Sequence, residues 1–188
     1  MFDAGLQWSS FTPYDMRVVY LVHMWLRDQK LGDGLGLAGS LSPQQLQQCR
    51  ELWRQLLQRR HPDTSGRQIS NVQSSVAAAV QQLPSSLVVP KSVREEVLLH
   101  EDAMCLTDMV FTTACGRQVV IEVDGPQHYR CPDQQPTGRT LYRNRALAAR
   151  GYVLVVVKAS DWDQCPEHLR QQQLVAWIQQ ALQQEQSP

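Results

Sequence analysis

The sequence has no excess of either charge. Lys plus Arg number 18 and Asp plus Glu number 18, so the formal net charge is zero. Binding to nucleic acid through overall positive charge is thereby excluded, and any such surface must be a local patch. Charged residues of all kinds are scarce, at 19%, against roughly a quarter in ordinary soluble chains. Glutamine takes much of their place, spread over the polar sides of helices and forming no prion-like tract. Long apolar runs are missing too. The longest spans about five residues, Val153 to Val157; a membrane-spanning helix needs roughly 20, so no membrane insertion is expected. Met1-Phe2-Asp3-Ala4-Gly5 lacks the basic, Ser-rich character of a transit peptide and the apolar core of a secretory signal. No CxxC pair occurs among Cys49, Cys105, Cys115, Cys131 and Cys165. Their odd number and wide spacing argue for free thiols in a reducing compartment, and against a disulfide framework or a structural zinc site.

What is present is enough for a real core. The 188 residues, 43% of them hydrophobic, suit one domain plus an extension or two small domains. Thr12-Pro13 opens a first helix with a cap and then proline at the first helical position. Val18, Leu21, Val22, Trp25 and Leu26 recur at helical spacing along it. Gly32, Gly34 and Gly36 break the pattern. This glycine-rich stretch follows a helix with no strand before it, so it reads as a linker and not a phosphate cradle. Ser42-Pro43 starts a second helix with Leu46, Cys49, Leu52, Trp53, Leu56 and Leu57 as its apolar stripe. A third runs from about Ser70 to Pro84, with Val72, Val76, Ala79, Val80 and Leu83 inward.

After Pro90 the texture becomes strand-like. Glu96 to Leu99, Cys105 to Thr113 and Gln118 to Asp124 read as three successive strands. A basic helix, Thr140 to Arg150, a buried strand, Tyr152 to Val157, and a last helix from near Pro166 follow. The fold class is α/β, with the order α-β-β-β-α-β-α from residue 70 onward. A small mixed sheet of about four strands should carry helices on both faces, preceded by an N-terminal helical segment. The expected division is a helical segment over 1–66 and a second domain over 67–188.

The most informative stretch is an acidic hairpin. Ala114-Cys115-Gly116 fits a three-residue loop with Gly116 in the left-handed position. That register pairs Thr113 with Arg117 and, counting back, sets Asp108 opposite Glu122. Glu122 and Asp124 share a strand face, since side chains alternate with period 2. Three carboxylates therefore converge, and like charges so placed destabilise unless compensated. A divalent cation, an arginine or a raised pKa on one acid would serve. Carboxylate oxygens from adjacent strands suit Mg²⁺, which in a phosphodiester hydrolase activates water and stabilises the leaving oxygen. Equally, Arg143 or Arg145 from the following helix could neutralise Glu122 in a structural charge network. His128, six residues after Glu122, is a candidate general base or phosphate contact, and Tyr129 a candidate base-stacking ring. Arg139, Arg143 and Arg150, at i, i+4 and i+11, share a helix face that forms a local basic stripe fit for phosphate.

These residues carry a family likeness. Ile121-Glu122-Val123-Asp124-Gly125-Pro126-Gln127-His128-Tyr129 comes first. Thr137-Gly138-Arg139-Thr140, Arg143, Leu147, Gly151-Tyr152 and Asp161-Trp162 follow it. Together they closely resemble the RAP domain, the RNA-binding domain abundant in apicomplexans. Ser70-Asn71-Val72-Gln73 and Thr107-Asp108-Met109 extend the likeness to about residues 67–182. The resemblance implies an organellar protein of RNA processing, stability or translation, in mitochondrion or chloroplast, of the FAST-kinase-like or octotricopeptide-repeat kind. The helices over 12–60 would then be the tail of a helical-repeat array. The missing transit peptide stands against that residence unless the chain is part of a longer one or its import signal is atypical.

The RAP domain in turn is similar to the restriction-endonuclease-like fold, near the very-short-patch-repair nucleases. That likeness implies metal binding by Asp108 and Glu122 and a catalytic set of Asp108, Glu122, Asp124 and His128. Asp124 stands where many such nucleases carry lysine, a departure that puts hydrolysis in question.

The leading expectation is therefore a binder of single-stranded RNA through His128, Tyr129, Arg139, Arg143 and Arg145, with no cofactor required. The first alternative is an Mg²⁺-dependent endoribonuclease using Asp108 and Glu122. The second is a protein-interaction module of a ribonucleoprotein complex. A minor alternative rests on Leu56 to Asp63, whose His61-Pro62-Asp63 resembles the loop of J-domain co-chaperones.

Overall fold

The computed structural model describes residues 7–31, 33–60, 70–99 and 105–184, with side chains described for all of these except 58–60. The chain divides into two compact units, Met1–Arg67 and Gln68–Pro188. The His61-Pro62-Asp63 motif lies outside the described residues. None of the five cysteines is in a disulfide.

The first unit is a helical hairpin of α1 (Pro13–Asp28) and α2 (Pro43–Arg60). Thr12 caps α1 through a reciprocal box: its hydroxyl accepts from the Asp15 amide, and the Asp15 carboxylate accepts from the Thr12 amide. Ser42 and Gln45 exchange the same pair of bonds at the start of α2. Met16, Tyr20, Met24, Leu37, Cys49 and Leu57 are buried between the elements. The glycine-rich connection has a defined task. The Leu37 amide donates to Nδ1 of the buried His23 at 3.0 Å, and Gly36, at φ +65°, runs so close to His23 that a Cβ would sit 2.6 Å from its carbonyl oxygen. Only glycine fits there.

The second unit begins with α3 (Asn71–Gln81), capped by the Ser70 hydroxyl. It continues through β1 (Arg94–Leu99), β2 (Cys105–Thr112) and β3 (Gln118–Asp124), then α4 (Gly138–Ala148), β4 (Val153–Lys158), α5 (Ala159–Gln164) and α6 (Arg170–Gln184). The four strands lie in the order β1-β2-β3-β4; β1, β2 and β3 run antiparallel, and β4 joins β3 in parallel. The parallel pair requires a crossover, and α4 supplies it. α3, α5 and α6 cover one face around Phe111, Ile121, Val155, Trp162, Leu174 and Ile178. α4 covers the other through Leu147, against Val110, Val120 and Leu99. The expected mixed sheet with helices on both faces is what the structure contains.

Several boundaries differ from expectation by one or two residues, and three differences bear on the fold. The basic helix begins at Gly138, because Thr137, not Thr140, caps it: the Thr140 amide donates to the Thr137 hydroxyl. The C-terminal region holds two helices where one was expected. α5 carries the fully buried Trp162, and a 3₁₀ turn at Glu167–Leu169 precedes α6. β1 starts two residues early, at Arg94, and Glu96 within it takes φ +50°.

Candidate functional site

The hairpin register is the one that the turn chemistry implies. Gly116 sits at φ +83°, and the Thr113 amide donates to the Arg117 carbonyl at 2.8 Å. The β2–β3 pairing then runs from Thr112–Gln118 to Met109–Ile121, and Asp108 and Glu122 are next in line. There the backbone ladder stops. Asp108 Oδ2 accepts from the Val123 amide at 2.7 Å. One oxygen of this candidate metal ligand is thus spent on terminating the sheet.

The sequence reading missed a fourth acid. The β1–β2 register pairs Glu95 with Met109 and Val97 with Thr107, so Glu96 falls across from Asp108. Its left-handed backbone is costly for a residue with a side chain. Its carboxylate accepts from Gln73 Nε2 of α3 at 2.5 Å. Glu96, Asp108 and Glu122 therefore form a row across three strands. A positive φ inside a strand leaves no trace in hydrophobic periodicity, so nothing in the sequence pointed to Glu96.

The compensation for this charge comes from α4. Arg143 lies one turn before the buried Leu147 and faces the sheet. Its Nη1 donates to Glu122 Oε2 at 3.0 Å and its Nη2 to Asp124 Oδ1 at 3.0 Å. Both acids are buried, at 3% and 2% exposure. Burial still pushes the Glu122 carboxyl well above its usual range; Asp108, Asp124 and Glu96 add to the rise, and Arg143 opposes it. Glu122 Oε1 is buried without a hydrogen-bond partner.

Asp124 is the hub of the site. Besides Arg143 it lies 3.1 Å from Nδ1 of His128. His128 Nδ1 also lies 3.2 Å from the Thr140 hydroxyl of α4. Burial holds the His128 imidazole below its usual pKa, with Asp124 opposing and Arg143 and Arg139 assisting. This histidine thus leans to the neutral form, and the nitrogen that faces Asp124 is turned inward. Burial, and then the Asp124 charge, push the Tyr129 phenol up to about 12, so it stays a donor.

The basic stripe is not one exposed row. Of Arg139, Arg143 and Arg150, only Arg139 is exposed; Arg143 serves the two acids, and Arg150 Nη1 donates to the Ala146 carbonyl of its own helix. Arg145 is exposed on α4, and no described carboxylate pairs with it. His128, Arg143 and Asp124 thus meet in one network, Tyr129 and Arg139 border it, and Arg145 stands apart.

Asp108 and Glu122 are the candidate metal ligands. Among the described residues, no group of three or more His, Cys, Asp or Glu side chains is arranged to hold a metal ion. Glu122 and Asp124 converge instead on the Arg143 guanidinium, which supplies the positive charge a cation would bring.

Residues 121–180 match the family model of the RAP domain. The chain carries a RAP domain. The matched segment runs from β3 into α6, so it contains Glu122, Asp124, His128, Tyr129, Arg139, Arg143 and Arg145, whereas Asp108 and Glu96 precede it. The RAP family is associated with RNA binding, and the whole Asp124 network lies inside the RAP segment. No curated protein matches the chain. No described helix is long and apolar enough to cross a membrane.

Proposed function

We propose that this protein binds single-stranded RNA and acts in organellar RNA processing, stability or translation, in a mitochondrion or a chloroplast. One observation carries the choice of binding over cleavage. Arg143 lies 3.0 Å from Glu122 and from Asp124 inside the RAP segment, so the acids that a nuclease would turn toward a metal are bonded to an arginine. The reading takes the core as a restriction-endonuclease-like scaffold used for binding. The α-β-β-β-α-β order and the mixed sheet support that relation. Backbone phosphate contacts dominate such binding, so affinity should fall as salt rises.

The test is one incubation read twice. End-labelled single-stranded RNA is mixed with the full chain in Mg²⁺ or Mn²⁺, and separately in EDTA, then run on native and denaturing gels. A native shift with intact RNA is the expected result. Metal-dependent cleavage that disappears in Asp108→Asn would overturn it in favour of an endoribonuclease. If neither a shift nor a cut appears at low salt, RNA is not the ligand, and a protein-interaction role in a ribonucleoprotein takes its place.

A further inference from the structure

Lys158 belongs to none of the motifs considered so far. It is the last residue of β4, and the parallel register sets it beside Asp124, the last residue of β3. It is exposed. Its ammonium sits over the Tyr129 ring, 5.1 Å from the centroid, within the range of a cation–π contact. No described carboxylate lies within ion-pair distance of it. The neighbouring acid that could have paired with it, Asp124, is engaged by Arg143 and His128.

The ring beneath belongs to a tethered residue, Tyr129. Its backbone is pinned by a bridge to Pro136, while the neighbouring His128 carbonyl accepts from the Thr137 amide at 2.9 Å. A lysine ordinarily gives up much rotamer freedom when it binds a ligand. Here the ring has already restricted the side chain, and the ammonium remains open to water. A compact point charge with three donors matches a phosphate oxygen better than a base edge. Arg139, close enough to His128 to depress its pKa, brings a second cation to the same end of the sheet.

We propose that Lys158, presented on the ring of Tyr129, is a backbone-phosphate contact for single-stranded RNA, and that Tyr129 is its positioning residue. The proposal rests on the RNA-binding reading above and deepens it. It gives Tyr129 a different task from base stacking, because one face of its ring is covered by the lysine.

The experiment is fluorescence anisotropy of a labelled, unstructured RNA oligonucleotide with the full chain, across a series of KCl concentrations. Lys158→Gln is compared with Arg94→Gln, which removes the same charge from β1 at the opposite edge of the sheet. Lys158→Gln should raise Kd several-fold and reduce the slope of log K against log salt by about 0.7, the value of one single-strand phosphate contact. Arg94→Gln should leave the slope unchanged. Tyr129→Leu should raise Kd in the wild-type background and have no further effect on top of Lys158→Gln, while Tyr129→Phe, which keeps the ring, should retain the wild-type slope. A wild type that binds, with Kd and slope unchanged in Lys158→Gln, overturns this inference and leaves RNA binding standing. Additive losses from Tyr129→Leu and Lys158→Gln overturn the positioning role. A wild type that fails to bind at the lowest salt removes the RNA reading and this contact together.

Discussion

Arg143 Nη2 lies 3.0 Å from Oδ1 and 3.2 Å from Oδ2 of Asp124, so one nitrogen serves both oxygens of a buried carboxylate. The other terminal nitrogen is committed to Glu122. Deleting one partner of a buried pair leaves the other charge uncompensated, at a cost of about 3–5 kcal/mol. Arg143→Ala should lower the unfolding free energy by that amount in urea denaturation. Arg143→Lys should recover only part of it, since an ammonium does not reproduce the guanidinium fork. An Arg143→Ala protein of unchanged stability would return this residue to the list of free RNA contacts.

Glu122 gives the pH dependence a definite sign. Its carboxyl in the folded state is raised above the ordinary value of 4.5, so between the two values the native state binds more protons than the unfolded chain. Its contribution to stability is full below the unfolded pKa and is lost as pH rises through the folded one. Glu122→Gln keeps an oxygen for Arg143 and removes the titration. The stability of the variant minus that of the wild type should therefore increase as pH is raised from 4.5 toward the folded-state pKa. Parallel stability–pH curves would mean that folding leaves the Glu122 carboxyl at its ordinary value.

Asp108 separates structural from chemical duty. Its Oδ2 is the acceptor for the Val123 amide at the end of the β2–β3 ladder. Asp108→Ala leaves that amide without its acceptor and should cost about 1–3 kcal/mol. Asp108→Asn retains a carbonyl oxygen and should cost much less. Hydrogen exchange at Val123 reports the difference directly: slow in the wild type and in Asp108→Asn, fast in Asp108→Ala. A metal-ligand role predicts no such contrast at this amide.

Much of the framework was legible in the residues. Gly116 and the three-residue loop set the hairpin register, and from it the facing of Asp108 and Glu122, because turn type and pairing are coupled. The apolar stripes of α1, α2 and α3 marked their buried sides. The direction of Arg143 was also within reach. It stands four residues before Leu147, so it shares the face that packs on the sheet, and the neutralisation of Glu122 by Arg143 was one of two readings left open. The face shared by Arg139, Arg143 and Arg150 was read as a basic stripe, but periodicity alone does not say whether a basic face meets solvent or carboxylates. Two residues were out of reach. Glu96 depends on a positive φ inside a strand, and Lys158 matters only because the parallel pairing of β4 brings it onto Tyr129.

The crossover from β3 through α4 to β4 makes this polar network local along the chain. The side chains that meet Asp124 belong to His128 and Arg143, the farther only 19 positions away. Short loops close at little entropic cost, so the network can assemble within one β-α-β unit, without waiting for β1 or β2. Its wiring is in that sense modular. Lengthening the segment between Tyr129 and Thr137 would act on the Arg143 bond to Asp124 and spare the His128 one, while rebuilding β1 would leave both the arginine and the histidine where they are.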